Sequence, residues 1–214
     1  MGSDPISATS AVASAIRTAR VNPASKEQAS VAGILLAAGS STRFGGFKLM
    51  HPVDGVSMVL KSAIAMREAL GVVLVAVRPG SLCVPTLLAQ RFDVIECPRA
   101  AEGMGGTLAD AVAAVPTGAA GFIIALADMP FIRAATIATI AHALEAGATL
   151  AAPSYCGERG HPVGLAAAYR DELLALTGDA GARAIIKRDV ARITLFEVDD
   201  SGVLRDIDTP ADLG

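Results

Sequence analysis

The chain has 214 residues, a formal net charge of −3, and a composition that is 52% hydrophobic but only 4% aromatic, with no Trp. That length is a prior for one domain, or at most two small ones, and the apolar content excludes a disordered tail. The small negative charge and the lack of a basic face exclude a nucleic-acid scaffold.

Met1 to Ser30 are rich in Ala and Ser with little periodicity, and Met1-Gly-Ser-Asp-Pro5 looks like an expression scar. No compact apolar run with a basic lead marks a signal peptide there. We expect an N-terminal extension over residues 1–30 and a single domain over 31–214.

From Val31 the pattern changes. Apolar runs of strand length occur at Val31–Ala37, Val72–Val77, Asp93–Cys97, Gly121–Ala127, Thr149–Pro153 and Ile193–Val198. Continuous runs predict strands buried on both faces, as in a mainly parallel sheet. Between them, helical spacing occurs at Met58–Leu70, Pro85–Arg91, Met104–Val115, Ala134–Ala146 and Ala180–Asp189. The alternation predicts an α/β layered fold, with ligands at the carboxyl ends of the strands.

A mean hydropathy of +0.51 raises the question of a membrane. The longest uncharged stretch lies between Asp110 and Asp128, and Pro116, Gly118 and Gly121 interrupt it. A spanning helix needs about 20 predominantly apolar residues, so this stretch reads as helix, loop and buried strand. We expect no membrane and no nucleic-acid partner. Cys83, Cys97 and Cys156 match neither a disulfide framework nor a zinc motif, which points to a reducing cytoplasm.

The loop after the first strand carries the chemistry. Ala37, Ala38 and Gly39 are small enough to let backbone approach a ligand. Successive N–H groups in such a turn can cradle phosphate, and Arg43 and Lys48 add charge that suits a triphosphate. It is not a Walker A loop, because Phe47 separates Gly46 from Lys48 and Leu49 follows the Lys. The dinucleotide fingerprint is also absent, which excludes an NAD(P)-linked oxidoreductase. The bland alternative is a flexible turn with solvated Arg and Lys.

Asp128 ends an apolar strand at the ligand edge of the sheet, or else forms a simple strand-end turn or helix cap. Asp206, Asp208 and Asp212 surround Thr209-Pro210, and Asp208 or Thr209 could cap a last helix. No Ser/His/Asp arrangement is evident.

Leu36-Ala-Ala-Gly-Ser-Ser-Thr-Arg-Phe-Gly45, followed by Lys48, resembles the LAAG-x-S-x-R-M-G-x-x-K signature of the MobA-like nucleotidyltransferases. Five later segments are similar to their molybdenum cofactor cytidylyltransferase (MocA-like) branch. They are Glu102–Leu108, Leu126-Ala-Asp-Met-Pro130, Gly157–Val163, Gly178–Arg183 and Asp206–Leu213, in that order. Phe44, Thr107 and Ala127 replace the usual Met, Ser and Gly. The match covers roughly Val31 to Leu213.

The resemblance implies a Rossmann-like three-layer sandwich with a mainly parallel, mixed sheet, of the nucleotide-diphospho-sugar transferase type. It implies CMP transfer from CTP to a phosphate-bearing acceptor, molybdopterin or its molybdenum-loaded form, with Mg2+ held by Asp128 and Asp208. Arg43, Lys48 and Asp128 would be catalytic. Leu36, Ala37, Ala38, Gly39, Ser40, Gly103 and Thr107 would bind the nucleotide, and Arg159, His161 and Arg183 the pterin-phosphate acceptor. A molybdoenzyme or its maturation chaperone is the implied partner. The alternatives are a guanylyltransferase of the MobA type, a sugar-1-phosphate or methylerythritol-phosphate transferase, and a nucleotide-binding chaperone or regulator without turnover.

Overall fold

A computed structural model describes residues 31–39, 44 and 47–213. The expectations placed on residues 1–30 therefore lie outside the described residues. Strands β1 (Val31–Leu36), β4 (Val72–Val77), β5 (Asp93–Glu96) and β6 (Gly121–Leu126) form the parallel heart of the sheet. A short hairpin pairs β2 (Pro52–Val53) with β3 (Val56–Ser57). Its turn residues Asp54 and Gly55 both have positive φ, as two-residue hairpins require.

Helix α1 (Met58–Ala69) links β3 to β4, α2 (Cys83–Ala89) links β4 to β5, and α3 (Met104–Ala114) links β5 to β6. After β6 come α4 (Ala134–Glu145), β7 (Leu150–Tyr155), β8 (Glu158–Arg159) and β9 (Val163–Ala166). Helices α5 (Arg170–Leu174) and α6 (Arg183–Arg188) and strand β10 (Ile193–Glu197) complete the order. The main sheet runs β10-β7-β9-β6-β1-β4-β5, with β8 on β7.

Alternation along β1 explains its uninterrupted apolarity. Ile34 belongs to the core beneath α3, with Leu74, Phe122, Leu108 and Val112. Leu35 belongs to the opposite core beneath α1 and α4, with Val75, Ile123, Met66 and Ile140. A strand covered by helices on both faces has no solvent side, so neither parity of position is polar. At about 25 cal/mol per Å2 of buried apolar surface, these two layers supply the main drive to fold.

The sequence expectation needs three corrections. First, β9 was not anticipated. It inserts antiparallel between β6 and β7 and gives the mixed sheet that the resemblance implies. Second, β5 and β10 are edge strands, not doubly buried ones. Leu195 of β10 is 50% exposed. Third, α2 begins at Cys83 and α6 only at Arg183. Among the described residues, no helix is long and apolar enough to cross a membrane.

Candidate active site

After β1 the chain moves outward to β4 and β5, then returns to place β6 on the other side of β1. Such a reversal opens a crevice at the carboxyl ends of the strands. In register, Leu36 faces Leu126, and the Ala127 N–H donates to the Leu36 carbonyl at 3.0 Å. The next residue, Asp128, therefore stands at the mouth of the crevice. Its strand end is fixed from two sides. The buried Ser62 hydroxyl of α1 donates to the Ala127 carbonyl at 3.0 Å, and the Ile207 N–H donates to the Asp128 carbonyl at 2.9 Å.

That second bond brings in Asp208. Ile207 is fully buried, so it anchors the segment and leaves Asp208 beside Asp128. Asp212 shapes the turn beyond: one of its oxygens accepts from the N–H groups of Asp208 and Thr209 at 3.0 and 2.6 Å and from the Thr209 hydroxyl at 2.9 Å. These bonds favour its charged form and hold its carboxyl below the usual range. Asp212 thus reaches back from within a short 3-10 turn opened by Pro210 to hold the N–H groups that precede it.

Lys48 comes from the opposite side. Phe47 adopts a left-handed conformation (φ 52°) ahead of a 3-10 turn over Lys48–Met50, and the buried Leu49 pins that turn. The Lys48 ammonium donates to Asp128 at 2.9 Å and to Asp208 at 3.0 Å. Its side chain is only 7% exposed. Burial opposes its charge, but the two carboxylates outweigh burial and raise its pKa above the ordinary value. Three residues separated by 80 and 160 positions along the chain thus meet at one point.

Two hollows flank this cluster. One, of about 900 Å3, is lined by Ala38, Gly39, Gly103, Met104 and Thr107, with Arg78 and Asp179 as its charged groups. Gly103 is required there. Its φ is 115°, and a Cβ would run into the Asp179 carboxylate and stand 2.7 Å from the Gly178 carbonyl. Thr107 does not cap α3; its hydroxyl donates back to the Gly103 carbonyl at 3.1 Å. The other hollow has an aliphatic floor of Leu36, Leu108, Ile124 and Leu126, and carries Arg159, His161 and Arg183.

His161 Nδ1 is buried and has no partner among the described residues. Burial lowers the His161 pKa and the nearby Arg159 adds to this, so the site favours the neutral ring.

The structure therefore gathers Lys48, Asp128 and Asp208 directly, and groups Ala38, Gly39, Gly103 and Thr107 around one hollow. Leu36 lies instead in the hollow of Arg159, His161 and Arg183, and Ala37 lines a third recess with Phe47 and Leu49. Ser40 and Arg43 lie outside the described residues. Sequence reasoning missed Arg78 and Asp179, which carry no local signal beyond following a strand and preceding a helix. Met104, 45% exposed, lines both hollows. Among the described residues no three His, Cys, Asp or Glu side chains gather as a metal-binding group. The acidic contribution is a pair.

A curated relative, the purine catabolism protein PucB of Bacillus subtilis, is 33% identical over 192 residues, covering 83% of this chain and 91% of PucB. The crystal structure of Rv0371c from Mycobacterium tuberculosis superposes with a TM-score of 0.76 at 24% identity, covering 87% of this chain and 96% of that one. A manganese complex of the same protein also matches, with a TM-score of 0.70 at 24% identity, covering 86% and 95%. The CTP complex of CMP:2-keto-3-deoxy-manno-octonic acid synthetase shares the fold, with a TM-score of 0.68 at 16% identity, covering 86% and 95%. These agree with the nucleotide-diphospho-sugar transferase architecture read from the motifs. Residues 33–193 match the model of the MobA-like NTP transferase domain, and the chain belongs to that family of nucleotidyltransferases.

Proposed function

We propose that the protein transfers CMP from CTP to the phosphate of a pterin acceptor, molybdopterin or its molybdenum-loaded form, and releases pyrophosphate. The observation that carries this reading is the convergence of Asp128, Asp208 and Lys48 at the strand ends, together with a hollow walled by small residues and a second, aliphatic-floored hollow that carries Arg159, Arg183 and Asp179. The first hollow suits a nucleoside, because small side chains leave backbone groups free to meet a base edge. The second suits a flat, anionic acceptor, because its floor is aliphatic and its two guanidinium groups, Arg159 and Arg183, outnumber the single Asp179 carboxylate. The resemblance of the later segments to the cytidylyltransferase branch favours CTP.

The carboxylate pair fits a hard divalent cation. Mg2+ takes one or two carboxylates together with phosphate oxygens and water, and the pair already shelters the positive charge of Lys48. Asp128 and Asp208 would hold Mg2+, which when bound screens the triphosphate and polarises the α-phosphate. Lys48 supplies a fixed positive charge for charge that develops on the phosphates. The acceptor phosphate oxygen attacks the α-phosphorus in line, one P–O bond forms, the α–β bridging bond breaks, and pyrophosphate leaves. The attacking phosphate is already ionised at neutral pH, so no general base is needed.

The test is pyrophosphate release from CTP, acceptor and Mg2+. The reading expects release by the wild type and its loss in Asp128→Ala. No release by the wild type, or full activity in the variant, would overturn it.

A further inference from the structure

The segment from Asp199 to Asp212 is a strap that runs from the end of β10 to the carboxylate pair. Its anchor is Asp200, only 3% exposed. One Asp200 oxygen accepts from the N–H of Arg133, the residue before α4, at 2.9 Å and from the hydroxyl of Thr136, in the first turn of α4, at 2.6 Å. The other accepts from the Gly202 N–H at 3.1 Å. The residue that begins α4 makes no side-chain cap of its own, so Asp200 satisfies that helix end from the far side of the sequence.

Beyond the anchor the strap packs without slack. A Cβ on Gly202 would collide with the Phe131 carbonyl, and one on Gly160 would stand 2.5 Å from the Val203 carbonyl. The Val203 carbonyl accepts from the His161 N–H at 2.9 Å, and the Ile207 N–H donates to Asp128. One strap therefore touches the acceptor-side turn and the carboxylate pair, and it carries Asp208.

We propose that Asp200 is a positioning residue. By fixing the strap to α4 it sets where Asp208 and the His161 turn stand, and so governs cation and acceptor binding while leaving the nucleotide hollow untouched. The inference rests on the reading of Asp128 and Asp208 as the cation-binding pair.

The experiment measures Mn2+ affinity of the full chain by calorimetry in the presence of CTP, beside CTP affinity without metal. The variants are Asp200→Asn, Thr136→Val and Thr136→Ser. Loss of a group that orients a metal ligand typically weakens metal binding by 10–100-fold. The expected result is about a 10-fold loss of Mn2+ affinity in Asp200→Asn and Thr136→Val, recovery in Thr136→Ser, and unchanged metal-free CTP affinity. Thr136→Val retains the shape of the side chain and serves if Asp200→Asn does not fold. Wild-type Mn2+ affinity in both disruptive variants, or a parallel loss of metal-free CTP binding, would overturn the inference. If the wild type binds no Mn2+, or Asp128→Ala binds it equally well, the cation reading itself fails and takes the inference with it.

Discussion

Replacing Lys48 with Met removes, among the described residues, the ammonium that joins Asp128 to Asp208. Hydrogen bonds to charged groups contribute about 1.5–3 kcal/mol each, and removing one member of a buried pair costs about 3–5 kcal/mol. Asp208 is 45% exposed and Asp128 28%, so solvent screens much of that cost. About 2 kcal/mol is a reasonable net loss. For a chain of this size each kcal/mol lowers Tm by about 2–4 °C, so Lys48→Met should melt about 4–8 °C below the wild type without added metal. The sign of the metal response is the sharper part. Without the ammonium, the carboxylate pair attracts a divalent cation more strongly, so Mg2+ or Mn2+ should raise the Tm of the variant by more than that of the wild type. Turnover should nevertheless fall by about 100-fold or more, because a positive charge that meets the phosphates is gone. Melting curves with and without metal, beside pyrophosphate release, test this. An unchanged Tm, or a lowered one that metal fails to restore, would refute the electrostatic reasoning.

Gly103→Ala puts a Cβ at φ 115° against the Gly178 carbonyl and the Asp179 carboxylate; strain of about 1–3 kcal/mol should appear as a lower Tm and weaker nucleotide binding, and a wild-type melt would contradict it. The thiols should separate cleanly: Cys156 is exposed, Cys83 and Cys97 are buried, and burial pushes the Cys97 thiol up to about 12. Alkylation of the native protein should therefore label one thiol per chain and denaturation should reveal the other two; native labelling of Cys97 would contradict the packing. The pH profile of Tm should show two limbs. His161 is held below its ordinary 6.5 by burial first and Arg159 second, so its contribution is complete above 6.5 and lost as pH falls through the lowered value. The Lys48 pKa is raised above 10.5, so its contribution is complete below 10.5 and lost as pH rises through the raised value. Melting should be level between these limits as far as the two groups are concerned, and His161→Gln should soften the acid limb.

The sequence was most readable where burial is symmetric. β1, β4 and β6 announce themselves because helices cover both faces, so six-residue apolar runs survive without a polar parity. Asp128 was visible for the same reason, as the first charge after such a run. β9 was hidden: it has four residues, Gly164 breaks its apolar signal, and its antiparallel pairing is a tertiary choice. β10 was over-read, since Ile193, Leu195 and Phe196 look like core in one dimension but lie on an edge. The meeting of Lys48 with Asp208 could not come from local pattern, because it depends on Ile207 docking beneath Asp128; the family resemblance implied only that Asp128 and Asp208 converge. Asp200 was missed because a buried carboxylate and an exposed one read alike until their donors are located. Arg78 and Asp179 were missed because membership in a hollow is a property of the assembled fold.

The central claim is that Asp128 and Asp208 hold a divalent cation that meets the nucleotide phosphates. Anomalous diffraction from crystals grown with Mn2+ and CTP tests it most directly. The account predicts a single strong Mn2+ peak touching both carboxylates and the triphosphate, with the base in the hollow of Ala38, Gly103 and Thr107. A Mn2+ peak away from this pair, with CTP bound and Lys48 still joined to both carboxylates, would contradict it.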